Sequence, residues 1–309
     1  MTSTAEGFGA RLAARVAERE SQIVLGLDPD PGRLWPSAAA AASACDSPAE
    51  QAAAAVTAHC RAAIDAAGPA CVAVKAQLAC FERLGAPGWM ALATVVRYAR
   101  AAGLLVIADG KRGDIDVSAA AYGQALVGRT PTPFGEVDGL GADAFTASPY
   151  MGLDTLETLA VAARGAEAGI FVLVRTSNPG AADLEDLELA AGGTVAERVA
   201  ALVEGLGRVD GGPLAAIGAV VGATAPDQLG RLRELMPRTP FLLPGIGAQG
   251  GRVEDLAPVF AAGRAAGLIT ASRSIVHAHE KSGADPASAA RAEAERLRET
   301  AWALGASAA

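Results

Sequence analysis

The chain is poor in the residues behind several common chemistries. Histidine occurs three times, cysteine four times, and aromatic residues make up 4% of the 309 positions. His277 and His279 lie two apart on what reads as the last helical segment, hence on different faces, and His59 is isolated. All three read as packing or surface residues rather than catalysts or ligands. Cys45, Cys60, Cys71 and Cys80 follow one another at spacings of 15, 11 and 9, which match no metal-ligand pattern. Four thiols in so long a chain make no disulfide framework, so they read as buried thiols in a reducing cytoplasm. Positive charge is short too: 26 Lys and Arg against 34 Asp and Glu give a net charge of −8 and a pI near 5.0. That balance excludes the basic surface of a nucleic-acid binder, although a few local cations can still hold a small anion. The best apolar run, Leu214–Ala225, is a dozen residues with two glycines. It falls short of the ~18 residues a membrane span requires. No secretory h-region opens the chain; Phe8, Leu12 and Val16 recur at helical spacing between Arg11, Arg15, Glu18 and Arg19, predicting an amphipathic packing helix over about 7–20. GxSxG, HExxH and GxxxxGK[ST] are all missing, which leaves a nucleophile elbow, a zincin site and a P-loop without support.

What the chain does have is 51% hydrophobic residues arranged in eight short apolar runs. They are Ile23–Asp28, Cys71–Gln77, Leu105–Lys111, Ala144–Pro149, Ile170–Thr176, Leu214–Gly222, Phe241–Gly247 and Gly267–Arg273. Helix-period segments such as Trp89-Leu92-Val96-Ala99 and Leu153-Leu156-Leu159 separate them. Alternating strands and helices imply parallel pairing, and eight such units predict an α/β fold: a single-domain (β/α)8 TIM barrel spanning 1–309. An open doubly wound sheet is the alternative. The barrel is favoured because Asp28, Lys75, Asp109, Lys111, Ser148, Thr176 and Arg273 all fall at the C-terminal ends of predicted strands, the rim on which barrels carry their chemistry. Two segments read as accessory: an Ala-rich insertion over about 37–55, broken at Cys45-Asp46-Ser47-Pro48, and an acidic loop or helix over about 178–195. In the second, Asp183, Glu185, Asp186 and Glu188 alternate with Leu184, Leu187 and Leu189, the pattern of a solvated helix face rather than a metal site.

The densest chemical signal is Asp109-Gly110-Lys111-Arg112-Gly113-Asp114. Strand residues two apart share a side, so Asp109 and Lys111 project together, and the glycines allow the turn that returns Asp114 towards them. Lys75 ends a second apolar run and is followed by Gln77 and Phe81-Glu82. Pro244 to Gly251 and Ala271 to Ile275 follow the seventh and eighth runs, where barrels commonly bind phosphate. There, glycine backbone N–H groups and the forked guanidinium of Arg273 suit an anion.

These stretches resemble the orotidine 5′-phosphate decarboxylase family, in its longer bacterial (type 2) branch. The likeness rests on Gly26-Leu27-Asp28-Pro29, Val74-Lys75-Ala76-Gln77, Ala108 to Ile115, Ser148-Pro149-Tyr150, Arg175 to Asn178, Pro244 to Gly251 and Ser272 to Ile275, in order. It implies a charged tetrad of Lys75, Asp109, Lys111 and Asp114, with Lys111 the proton donor and Asp114 entering the site of the other subunit of a homodimer. It further implies Asp28 and Lys75 on ribose hydroxyls, Ser118 from the partner chain, Ser148 at the pyrimidine edge, and Gln249, Gly250 and Arg273 at the phosphate. The substrate would be orotidine 5′-phosphate, converted to UMP and CO2 in de novo pyrimidine biosynthesis, with no metal or cofactor. Gly110, Ala76, Ser118 and Ser272 stand where the family usually has Ala, Pro, Thr and Gly, and no charge is lost. Two rivals remain: a metal-dependent sugar-phosphate decarboxylase or synthase on the same barrel, which would want an acid where Lys75 stands, and a non-catalytic barrel that binds a nucleotide phosphate.

Overall fold

Each of the eight apolar runs contains, to within a residue at one end of β3 and of β7, one strand of a closed parallel barrel in the computed structural model, which describes residues 7–40, 42, 47–207, 214–247 and 249–307. Cys45 and Asp46 of the Ala-rich insertion and Ala248 of the glycine-rich loop lie outside the described residues. In chain order the strands are β1 (Ile23–Leu27), β2 (Ala73–Gln77), β3 (Leu105–Arg112), β4 (Arg129–Thr132), β5 (Gly135–Asp138), β6 (Ala144–Ala147), β7 (Gly169–Arg175), β8 (Ile217–Val221), β9 (Phe241–Leu243) and β10 (Gly267–Ala271). The barrel runs β1-β2-β3-β6-β7-β8-β9-β10 and closes by β10 pairing with β1. Strands β4 and β5 form a separate antiparallel hairpin that the eight runs do not include. Their sequence, Arg-Thr-Pro-Thr and Gly-Glu-Val-Asp, is polar and largely exposed, so no hydrophobic alternation marks it.

The two-residue period of the strands sorts their side chains. Val24, Ala73, Leu105, Ile107, Ala144, Phe171, Val220, Leu242 and Leu268 fill the barrel, whereas Ile23, Leu25, Val74, Val106, Phe145, Val172 and Ile269 pack outward against the helices. Helix α1 (Phe8–Arg19) plugs the N-terminal end: Phe8, Leu12 and Val16 join the interior cluster, and the Phe8 ring meets Phe171 edge-on at 6.0 Å. Burying a phenylalanine in this way contributes about 2–3 kcal/mol.

Around the barrel stand α2 (Pro36–Ala40), α3 (Pro48–Ala67), α4 (Leu78–Glu82), α5 (Gly85–Ala101), α6 (Asp116–Leu126), α7 (Leu153–Gly165), α8 (Val195–Leu206), α9 (Pro226–Leu235), α10 (Arg273–Val276), α11 (His279–Ser282) and α12 (Pro286–Ser307). Helix α3 begins with a capping box, Ser47 and Glu50 each accepting from the other's backbone N–H, with Pro48 in the first turn. After β9 the connection is a 3-10 segment, Val253–Ala262, interrupted by Pro258, which has no N–H to continue an α-helix. The acidic segment is not the solvated helix face its leucine spacing suggests. Only Pro179–Asp183 is helical, as a 3-10 turn, and Glu185 and Asp186 fold back onto Arg175 and Thr176. A buried guanidinium at the end of β7 attracts them more strongly than solvent does.

His59 of α3 lies buried against the edge of Trp35, and its Nδ1 accepts the Trp35 N–H at 3.1 Å. Burial first, then His277 and His279, hold its pKa down to about 4 from an ordinary 6.5. The unfolded chain binds this proton more readily, so the stability it confers is present above pH 6.5 and lost as the pH falls towards 4, by about 3 kcal/mol in all. Urea titrations between pH 7 and 4 measure this loss. His59→Asn, which keeps an acceptor but cannot protonate, is expected to flatten it.

Candidate active site

The inward-facing positions at the C-terminal ends of the strands carry the polar residues. Ala73 faces into the barrel, hence so does Lys75; Leu105 and Ile107 do, hence so do Asp109 and Lys111. In register, Lys75 lies opposite Ile107 and Gln77 opposite Asp109, which brings the ends of β2 and β3 side by side. Lys75 Nζ donates to Asp109 Oδ2 at 2.5 Å and Lys111 Nζ to Asp109 Oδ1 at 2.7 Å, while Asp28 Oδ1 stands 3.9 Å from Lys75 Nζ. The result is a row of alternating charges, acid, ammonium, acid, ammonium. Thr146 on β6 also donates to Asp109 Oδ1, at 2.8 Å.

The row runs from dry to wet. The Lys75 and Asp109 side chains are 8% and 6% exposed, and that of Lys111 is 43% exposed, at the mouth. Burial opposes charge on Asp109, but Lys75 and Lys111 outweigh it and hold the carboxyl pKa at about 2. Burial likewise opposes charge on Lys75, and Asp109 followed by Asp28 outweighs it, so its pKa is raised. Both groups are therefore ionised throughout the neutral range. Lys111 itself has φ of 48°, in the left-handed region that costs a side chain about 1–2 kcal/mol. The β3–β6 ladder shifts register there, and the Lys111 N–H bonds to Thr146 Oγ1 at 2.9 Å. At neighbouring Gly110 a methyl group would come within 2.5 Å of Leu78 Cδ1, so Leu78 takes the room that alanine would need.

A cavity of about 550 Å3 opens above this row. Asp28, Asp109 and Glu185 line it against Lys75, Lys111 and Arg273, and Leu173, Val220, Leu242 and Ile246 supply an apolar wall. Among the described residues no carboxylate pairs with Arg273, whose exposed guanidinium is free for a ligand. Gln249 reaches in from the β9 loop, its Oε1 accepting from Ser177 Oγ at 2.9 Å.

Several expected residues lie elsewhere. Ser148 does not line the cavity; its N–H donates to the Arg112 carbonyl and its Oγ accepts from Tyr150 N–H. Ser177 takes an inner position together with Thr176, and strict alternation from Phe171 and Leu173 does not signal it, because the β7–β8 ladder shifts register between Leu173 and Arg175 and Arg175 turns to Asp186. Gly250 is turned to loop closure, its N–H bonding the Gly247 carbonyl at 3.0 Å, and it too is outside the lining. Asp114 and Ser118 are also outside it, with Asp114 Oδ1 accepting the adjacent Ile115 N–H and Ser118 exposed on α6. Arg112 is structural: it pairs with Glu82 and stacks over Tyr122. Thr146 and Thr270 join the site unannounced; the Thr270 hydroxyl is buried at the cavity floor without a partner among the described residues.

Comparison with known proteins agrees with this geometry. The profile of the orotidine 5′-phosphate decarboxylase / HUMPS family matches residues 21–292. An orotidine 5′-phosphate decarboxylase of Rhodopirellula baltica is 41% identical over 276 residues, 89% of each chain. The solved structure of a Streptomyces avermitilis protein is 35% identical with a TM-score of 0.78, covering 97% of this chain and 96% of that one. The OMP decarboxylase of Leishmania donovani superposes with a TM-score of 0.69 at 33% identity, over 94% of this chain and 98% of its own. Barrel, charge row and sequence likeness over nine-tenths of the length agree, and the chain belongs to the orotidine 5′-phosphate decarboxylase / HUMPS family.

Proposed function

We propose that this chain decarboxylates orotidine 5′-phosphate to UMP and CO2, a step of pyrimidine biosynthesis. The observation that carries the reading is the Lys75–Asp109–Lys111 row, buried at Lys75 and Asp109, at the base of a cavity whose far side holds Arg273, paired with no carboxylate among the described residues. Arg273 and Gln249 take the phosphate side, Asp28 and Lys75 the ribose hydroxyls, and Ser177 with Gln249 the ring edge, in place of Ser148. The C6 carboxylate then faces Asp109. Its C6–CO2 bond breaks with the electron pair left on C6, CO2 departs, and the Lys111 ammonium delivers its proton to C6 and is reprotonated from solvent.

Fixed charge is suited to this chemistry because no ring group delocalises the C6 carbanion well, so stabilisation must already be in place. A unit charge pair at ~4 Å and an effective dielectric near 20 is worth about 4 kcal/mol, close to three powers of ten in rate. Phosphate binding at Arg273 supplies energy that holds the substrate carboxylate against Asp109.

The enzyme works as a homodimer in which Asp114 and Ser118 enter the partner's cavity. Ile115, Val117, Tyr150 and Met151 beside them are exposed, Val117 by 83%, as expected of a face that a second copy covers. A cytoplasmic location suits the free thiols Cys60, Cys71 and Cys80; burial raises all three pKa values, that of Cys71 to about 12.

The direct test is the loss of the orotate absorbance when purified protein meets orotidine 5′-phosphate in the presence of excess EDTA. Turnover undiminished by the chelator is expected. Activity that needs added Mg2+ would point to the metal-dependent relatives instead, and binding without turnover to a sensor.

A further inference from the structure

All three histidines of the chain meet at one place behind the phosphate side of the cavity. The spacing of His277 and His279 implies opposite helix faces, but α10 stops at Val276 and His277 turns out of it with φ −106° and ψ 19° before α11 begins at His279. The two rings consequently stand 6.1 Å apart. His277 Nδ1 is 3.4 Å from Glu280 Oε1, and His279 Nδ1 is buried without a hydrogen-bond partner among the described residues. One ligand atom from each of His277, His279 and Glu280 lies within 4.8 Å of the other two. None of the three lines the 550 Å3 cavity.

We infer that His277, His279 and Glu280 form a structural site for a divalent transition metal of the zinc class. Two imidazole nitrogens and a carboxylate oxygen are a donor set that suits such an ion, with water as a fourth ligand. Tetrahedral donors at about 2.0–2.2 Å from a common centre are about 3.4 Å from one another, so the set contracts by roughly 1 Å through side-chain rotation on an exposed turn. Burial, then Arg33, lowers the pKa of His277, which favours its neutral, binding form. His59 behind them has its Nδ1 occupied by the Trp35 N–H and supplies an uncharged wall, not a competing cation. Arg33 opposes binding; its guanidinium holds Glu280 Oε1 at 2.6 Å, and Arg273 and Lys281 lie nearby. A bound ion therefore takes Glu280 from Arg33 and ties α11 to His277, the C-cap residue of α10, which Arg273 opens.

Co2+ titration of the metal-stripped, tag-free full-length protein tests this. One equivalent per chain should bind with the intense visible bands of a four-coordinate site, and Zn2+ should displace it. His277→Ala and His279→Ala should each weaken binding by about 100-fold or more, while Arg33→Gln should tighten it by about tenfold because Glu280 is released. Decarboxylation by the metal-free protein is expected to be unchanged. Absence of stoichiometric binding, binding that survives the double histidine variant, or an affinity indifferent to Arg33→Gln would each overturn the assignment.

Discussion

Asp109→Asn is expected to lower kcat for decarboxylation by about three powers of ten or more while changing UMP affinity by less than about tenfold. The two quantities separate because UMP has no carboxylate at C6. Asp109 accepts from both ammonium groups, and in the proposed substrate complex it would repel the departing group while one of those ammonium groups stabilises and protonates the carbanion. In the product complex neither task remains, and Arg273, Gln249 and Ser177 hold the ligand as before. The substitution also leaves buried Lys75 with Asp28 alone, at 3.9 Å, so stability falls by about 3 kcal/mol and UMP binding doubles as the control for folding. Unchanged kcat with tighter substrate binding would remove ground-state repulsion from the mechanism. An equal loss of kcat and UMP affinity would mean that Asp109 only positions the ligand.

A second large effect is expected from mixing two dead proteins. On the proposed reading, Lys111→Ala removes the proton donor from its own cavity, and Asp114→Asn removes the carboxylate that the chain would offer to its partner. Each variant alone is then expected to be inactive. In a mixed dimer one cavity has intact Lys111 and receives intact Asp114, while the other has neither, so an equal mixture after subunit exchange recovers about a quarter of the wild-type sites. Asp114 does not line its own chain's cavity, and the neighbouring Val117 and Tyr150 are 83% and 81% exposed. Gly113 lies against the Ser148 carbonyl, which joins the Asp114 turn and the Tyr150 loop into one face. A mixture that forms mixed dimers yet stays inactive would assign Asp114 to a role within its own subunit.

Much of this site can be read from the sequence because strands alternate. Once Ala73, Leu105 and Ala144 are known to face inward, Lys75, Asp109 and Thr146 follow two or four residues later, and Asp-x-Lys marks the same side by itself. The same rule does not reach Ser177, because the β7–β8 ladder shifts register between Leu173 and Arg175, and it points to Ser148, where the outcome differs. Beyond β6 the chain is no longer a regular strand: the bulged end of β3 takes the Ser148 N–H onto Arg112 and turns the loop aside. The acidic segment and the histidine pair were misleading for a related reason. Helical spacing is informative only where a helix persists, and Arg175 in one case and the break after Val276 in the other end it.

By itself the sequence determined the barrel, its eight strands and the side on which the lysines and Asp109 emerge, since backbone geometry alone imposes a two-residue period. Only the tertiary structure decided which of those groups touch. Lys75 meets Asp109 across 34 residues, Ser177 meets Gln249 across 72, and His59 reaches the turn that carries His277 and His279. Such pairings depend on interstrand register and on the paths of loops after the strands end. Long-range packing sets both, and no local periodicity records either.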